Sequence, residues 1–237
     1  MLLDHRSFRE MRNRNFFGRC REQLCGTCVA GCYVEPCGDG RGRVSATIIL
    51  ARHATHAEVG RILSGRSAIR LNDAGVAEAH RLASRLATLP IAAIHCSPRP
   101  RALETADAVA IRLDVPVTVA DALDEVDFGS WAGTTFADLD TDAGWQHWNS
   151  QRATAPTPGG ETMAAAVGRA VAYVESIGRA GPVLCVSHCD IIRGLVAHYL
   201  GLSLDRTLAF DCDPASITTL ELGDDGGRVV ALNERFQ

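Results

Sequence analysis

The sequence predicts an α/β protein, a three-layer α/β/α sandwich whose mostly parallel sheet carries helices on both faces. Three observations lead there. Short β-branched runs alternate with segments of helical period; the runs are apolar throughout, as strands covered on both faces are; and reactive polar residues appear where those runs end.

Taken in order, Val44-Ser-Ala-Thr-Ile-Ile-Leu-Ala51 reads as the first strand and turns polar at Arg52 and His53. A helix follows over 73–88, with Val76, Ala79, Leu82, Ala83 and Leu86 on one face and Asn72 or Asp73 as its cap. Ile91-Ala-Ala-Ile-His95 is the second strand, 102–113 the second helix and Pro116-Val-Thr-Val119 the third strand. Residues 120–160 read mostly as loop, with short helical pieces around 134–149 and a close at Pro156-Thr-Pro-Gly-Gly160. A helix over 161–178 leads to strand Pro182-Val-Leu-Cys-Val-Ser187, a helix over 190–200, and two edge strands near 216–222 and 228–232.

Residues 1–43 differ: they hold no sustained apolar period and end in Gly38-Asp-Gly-Arg-Gly-Arg43. The expected organisation is a poorly ordered Cys- and Arg-rich extension over 1–43 followed by one folded domain over 44–237.

Composition narrows the function classes. With 46% apolar and 22% charged residues in 237, this is an ordinary globular chain, and no apolar run approaches the roughly 20 residues that span a bilayer. The start, Met1-Leu-Leu-Asp-His-Arg, is charged where a signal peptide is apolar, so the expectation is a cytoplasmic protein without a membrane partner. The net charge of −4 argues against a nucleic-acid surface over the whole chain, although residues 1–43 carry +3 and the remainder −7. All 24 basic residues are Arg, which fits an Arg-favouring codon bias and removes Schiff-base and lysine phosphate-loop chemistry.

Three strands end on reactive groups: the first on Arg52-His53, the second on Ser97-Pro-Arg99-Pro-Arg101, and strand 182–187 on Ser187-His188. Guanidinium forks match phosphoryl oxygens bidentately, and imidazole can serve as nucleophile or donor. A divalent metal fits poorly, because Arg adjoins the reactive positions and no acid stands at ligand spacing from either His, so no cofactor is expected.

Leu50-Ala-Arg-His53-Ala, Leu71-Asn-Asp-Ala-Gly75, Cys96-Ser-Pro-Arg-Pro-Arg101-Ala, Leu123-Asp-Glu125-Val-Asp-Phe128-Gly129, Pro158-Gly-Gly-Glu161-Thr and Val186-Ser-His188-Cys-Asp follow one another in that order. Together they resemble the histidine phosphatase superfamily in its phosphoglycerate mutase-like branch, from about 47 to 232. The resemblance implies a phosphoglycerate mutase-like fold for 44–237 and a phosphatase that hydrolyses small phosphorylated metabolites through a phosphohistidine. It makes His53 the nucleophile, sets Arg52, Arg101 and His188 around the phosphate, and makes Glu125 the proton donor and then acceptor. On that assignment His53 must be neutral with one ring nitrogen fixed by a hydrogen bond, His188 gains by protonation against the dianion, and Glu125 needs a raised pKa. The other readings are a phosphoglycerate mutase-type transfer and a catalytically inactive phosphate-binding or interaction module.

The pattern departs from the family near the nucleophile: His56 stands where Thr is usual, Glu58 or Val59 where Asn is, and Cys189 where Gly is common. His80, His95, His147 and His198 read as structural, and Trp131, Trp145 and Trp148 as core or lid packing. Five of the nine Cys lie within residues 20–37. Cys20, Cys25 and Cys28 have the spacing of a plant-type iron–sulfur loop, yet 43 residues cannot supply the sheet such a cluster needs. A metal site on Cys20, Cys25, Cys28 and Cys32 stands beside a segment with no fold.

Overall fold

A computed structural model describes residues 44–177, 181–224 and 226–236. The sequence expectations for 1–43, including the cysteine cluster, fall outside them. Six strands form one sheet: β1 (Val44–Arg52), β2 (Ala93–Cys96), β3 (Val117–Val119), β4 (Val183–Ser187), β5 (Ile217–Gly223) and β6 (Gly226–Glu234), in the order β3-β2-β4-β1-β5-β6. The four strands β3, β2, β4 and β1 are parallel, and β5 and β6 add an antiparallel edge.

Alternation along the central strands divides the interior in two. Ile48 and Leu50 of β1 join Val183 and Cys185 of β4 in one apolar core, whereas Ile49 and Ala51 join Leu184 and Val186 in the other. Helices α1 (Asp73–Leu86) and α2 (Pro100–Leu113) cover the second core with Leu82, Leu86, Ala106 and Val109. Helices α5 (Met163–Ser176) and α6 (Cys189–Tyr199) cover the first with Met163, Val167, Val174, Ile191 and Leu195. Two covered faces give the three layers expected, and truncating such a buried Leu to Ala would cost about 2–5 kcal/mol. Gly194 allows α6 to lie against α5, because a Cβ there would stand 2.1 Å from Val167 Cγ2.

Local chemistry sets the element ends. Asn72, rather than Asp73, caps α1 by accepting from Gly75 N–H, and Thr162 caps α5 from Ala165 N–H. Pro100 opens α2 at a position where its missing N–H costs nothing, two residues before the expected start. In the middle region only α3 (Phe136–Leu139) and α4 (Ala143–Ser150) are α-helical, consistent with the short pieces expected there.

Sheet register is what assembles the site. Arg52 of β1 lies opposite Ser187 of β4, and the next residue continues the ladder, His53 N–H donating to the Ser187 carbonyl at 2.9 Å. Ser97, just past β2, donates its N–H to the Val186 carbonyl at 3.0 Å. The carboxyl ends of three adjacent parallel strands therefore meet within a few ångströms.

Candidate active site

A cleft of about 310 Å³ opens over those strand ends. Arg52, His53, His56, Arg101 and Glu125 lie on its wall together with Cys189 and Asp190 at the start of α6. Four of the five sequence-predicted site residues thus share one surface. His188, the fifth, sits behind it, fully buried, with its ring centroid 5.1 Å from that of His53.

His53 is almost fully buried, and its Nδ1 contacts the Ala54 carbonyl at 2.9 Å. A carbonyl only accepts, so Nδ1 carries the proton and Nε2 keeps its lone pair. Burial, then the charges of Arg52 and Arg101, hold the His53 pKa well below the ordinary value, so the ring is neutral at physiological pH. The adjoining turn is tied down on both sides. Ala54 N–H donates to Thr105 Oγ1 of α2 at 3.0 Å, and Thr55 N–H to Glu78 Oε2 of α1 at 2.8 Å. Gly75 permits this approach, since a Cβ there would fall 1.9 Å from the Thr55 carbonyl oxygen.

Arg101 is 1% exposed, a buried cation that needs full hydrogen bonding. It donates to the carbonyls of Gly65 and Ser67 at 2.6 and 3.0 Å and to His188 Nδ1 at 3.1 Å. Because Arg can only donate, His188 Nδ1 accepts, and the proton on Nε2 goes to Ser97 Oγ at 2.7 Å. Burial, followed by Arg101 and the nearby His53, keeps the His188 pKa well below normal. In the protein alone His188 is therefore a neutral ring, held so by its burial and then by Arg101; the sequence expectation of protonation concerns the ring facing a bound dianion. Arg52 spends Nη1 on the Cys212 carbonyl at 2.6 Å. The buried Nε of both Arg52 and Arg101 finds no partner among the described residues.

Glu125 is 7% exposed in a loop where an acid could have been solvated. Burial, with Asp190 next in effect, pushes its pKa up to about 8, the direction a neutral proton donor requires. Its loop is clamped from behind. Arg66 Nε donates to the Glu125 carbonyl at 2.9 Å, and Arg169 Nη2 to the Asp124 and Glu125 carbonyls at 2.7 and 3.0 Å. Both guanidiniums also donate to Glu161 Oε1, at 2.6 and 2.8 Å. Gly129 and Gly160 let the two loops touch: a Cβ on Gly129, at φ +57°, would fall 2.0 Å from the Pro158 carbonyl oxygen.

Sequence reasoning missed several members. Asp124, beside Glu125 in the chain, is 5% exposed; it pairs with Arg99 at 3.0 Å and accepts from Ser97 Oγ at 3.3 Å, which extends the support of His188. His56 is 4% exposed, its ring 5.2 Å from that of His53. Glu58 N–H donates to its Nδ1 at 3.3 Å, so Nε2 bears the proton and can donate as the usual Thr hydroxyl would. Burial, then Arg101 and Arg52, bring its pKa down to about 4, leaving it neutral. Arg152 pairs with Asp190 at 2.7 Å and lies 4.2 Å over the Trp148 ring. Of the four His read as structural, His95 hydrogen-bonds Tyr173 Oη at 2.7 Å, whereas His80, His147 and His198 are exposed. Trp148 is core and Trp145 reaches the cleft wall, stacked on Trp148 at 5.2 Å. Among the described residues no group of three or more His, Cys, Asp or Glu is placed to hold a metal ion, and no helix is long and apolar enough to cross a membrane.

The sequence model described as the histidine phosphatase superfamily (branch 1) matches residues 48–235. Phosphoserine phosphatase 1 of Hydrogenobacter thermophilus is 26% identical over 193 residues, which is 78% of this chain and 91% of that protein. Glucosyl-3-phosphoglycerate phosphatase of Mycolicibacterium vanbaalenii is 31% identical over 176 residues, 69% of this chain and 78% of that one. Among solved structures, Bacillus stearothermophilus YhfR aligns with a TM-score of 0.75 at 28% identity, covering 81% of this chain and 98% of that chain.

Proposed function

The chain belongs to the histidine phosphatase superfamily, and we propose that it hydrolyses monoesters of small phosphorylated metabolites by phosphoryl transfer to and from His53. The observation that carries this is the commitment of His53 Nδ1–H to the Ala54 carbonyl, which leaves Nε2 as a free nucleophile in a cleft shared with Arg52, Arg101 and a protonated Glu125.

In the first step His53 Nε2 bonds to phosphorus as the ester P–O bond breaks, and Glu125 gives its proton to the departing alkoxide. In the second, water attacks the phosphohistidine while the Glu125 carboxylate takes its proton, and the N–P electron pair returns to Nε2. Arg52 and Arg101 hold the equatorial oxygens, where a fixed donor is worth about 10²–10³ in rate. The neutral Nε2–H of His56 adds a donor at the position of the family's Thr. His188, accepting from Arg101 at Nδ1 and donating to Ser97 at Nε2, positions the Arg101 guanidinium as a neutral ring.

The cleft lining also includes Ile62, Leu63, Phe128, Phe136 and Trp145, beside the Arg152–Asp190 pair and Arg193, whose Nε donates to the Phe210 carbonyl at 3.1 Å. It suits an alcohol with an apolar body better than a second phosphate. The relatives named above act, by their names, on phosphoserine and glucosyl-3-phosphoglycerate.

The test is His53→Ala against a panel of phosphate esters, with and without chelator. Turnover should fall by about 10⁴-fold or more in the variant, and the unmodified protein should be indifferent to EDTA. Quenched wild-type protein should carry phosphate that is acid-labile and base-stable; phosphoserine at Ser97 or Ser187 would sink the assignment.

A further inference from the structure

Cys189, on the cleft wall, and Cys212, whose carbonyl holds Arg52, have no place in the chemistry above. Cys189 is the first residue of the eleven-residue helix α6, directly after His188, and lines the cleft. Cys212 lies in the segment before β5, buried at 5% exposure. Both are free cysteines. Cys189 Sγ–H donates to the Cys212 backbone carbonyl at 3.8 Å, which sets the two cysteines side by side. That same Cys212 carbonyl accepts Arg52 Nη1 at 2.6 Å.

The pair is chemically unequal. Cys212 beside it, with Arg52 and Arg193 assisting, brings the Cys189 pKa down to about 7, and the helix N-terminus adds to the same effect. Cys189 and burial push Cys212 well up. A thiolate open to the cleft beside a buried protonated thiol is the arrangement of an attacking and a resolving cysteine.

We propose that Cys189 and Cys212 form a peroxide-sensitive pair whose oxidation to a disulfide turns the phosphatase off through Arg52. The Cys189 thiolate attacks one oxygen of hydrogen peroxide; the O–O bond breaks, leaving a sulfenic acid on Cys189 and releasing hydroxide. Cys212 sulfur then displaces the hydroxyl from Cys189 sulfur, and the Cys212 proton departs with it as water. The thiol pair loses two electrons and the peroxide gains them. Closing an S–S bond of about 2.05 Å draws Cys212 towards Cys189, and the Cys212 carbonyl that holds Arg52 moves with it.

The consequence, though not the disulfide, rests on the phosphatase reading. The test treats the full chain with hydrogen peroxide, blocks remaining thiols, digests with trypsin without reductant and measures masses alongside turnover of a phosphate ester. Peptides 180–193 and 207–228 should appear joined, with fragment ions placing the bond at Cys189 and not at Cys185. Turnover should fall by about a hundredfold, the scale of losing one phosphate donor, and dithiothreitol should restore both. In Cys212→Ser the joined peptides should vanish, and peroxide should instead carry Cys189 to the sulfinic acid, a loss that dithiothreitol does not reverse. Peroxide-treated wild-type protein without the 189–212 link, a link that leaves turnover unchanged, or a Cys212→Ser protein that recovers with dithiothreitol would each overturn the proposal. Should the variant not fold, the wild-type mass and turnover arms decide alone. A link formed in a protein with no turnover before treatment would sink the phosphatase reading instead.

Discussion

The two ends of the cleft are built by different means. At the phosphate end, Arg52, His53, Arg101 and His188 sit on or just past regular elements, and each is fixed by bonds to backbone or to one another. At the leaving-group end, Glu125, Ile62 and Leu63 come from loops, and Trp145 and Arg152 from or near the eight-residue helix α4. The sheet holds the first set to the tolerance of its hydrogen-bond register. Side-chain clamps, with Arg66, Arg169 and Glu161 foremost, hold the second. One end can keep its chemistry constant while the other changes its substrate, because loops accept substitution at less cost than strand ends.

The largest effect that would sharpen this contrast comes from Glu125→Gln. The phosphate end is untouched, so binding should persist, while turnover of alkyl phosphates should fall by about 10²–10⁴-fold for want of the proton. Aryl esters with acidic leaving groups, which depart without a proton, should lose far less. The pH profile gives a second reading. Glu125 donates only when protonated, so kcat/KM should be flat below about pH 8 and decline above it. His53 is neutral down to a pH well under its ordinary pKa and sets no acid limb near neutrality. The upper limb should disappear in Glu125→Gln; its survival would place the donor elsewhere.

A smaller effect tests whether the first turn of α6, facing the loop that carries Glu125, tunes the acid. Asp190 is, after burial, the main cause of the raised Glu125 pKa. Asp190→Asn keeps an oxygen for Arg152 but removes the charge, so Glu125 should ionise more readily and the upper limb should move to lower pH, with turnover at pH 6 nearly unchanged. A limb that stays in place would leave burial alone to account for the raised value.

What was legible in the sequence follows the same division. Arg52, His53 and His188 are contiguous with apolar strand runs, and Arg101 opens a helix, so period and position were enough to set them on one rim. Glu125 was separable from Asp121, Asp124 and Asp127 only through the family resemblance, since its burial depends on α5 and on a loop more than thirty residues away. The roles of Asp124, Ser97 and His56 are tautomer and partner facts that no spacing encodes. Glu161 was visible in Pro158-Gly-Gly-Glu161, although nothing in that run says that its carboxylate holds two arginines. Cys189 showed only as a departure from Gly, its partner being 23 residues further along the chain.

The smallest expected effect concerns phosphoryl shift, the alternative to hydrolysis. A mutase shields its phosphohistidine from water while a bisphosphorylated intermediate turns, and it needs free cations for the second phosphate and the carboxylate. Sequence alone offers Arg152, Arg169 and Arg179 between Glu125 and His188. Arg179 lies outside the described residues. Arg169 gives its donors to Glu161 and to the carbonyls of 122, 124 and 125, and Arg152 is neutralised by Asp190 and packed on Trp148. Arg169 is committed to clamping the Glu125 loop and Arg152 to its pair with Asp190, so neither is free to take a second anion. Supplied with 3-phosphoglycerate and catalytic 2,3-bisphosphoglycerate, the protein should therefore release orthophosphate without a measurable rise in 2-phosphoglycerate. Isomerisation faster than release would mean that the leaving-group end grips a second anion after all, and the contrast between a fixed phosphate end and its apolar counterpart would fail with it.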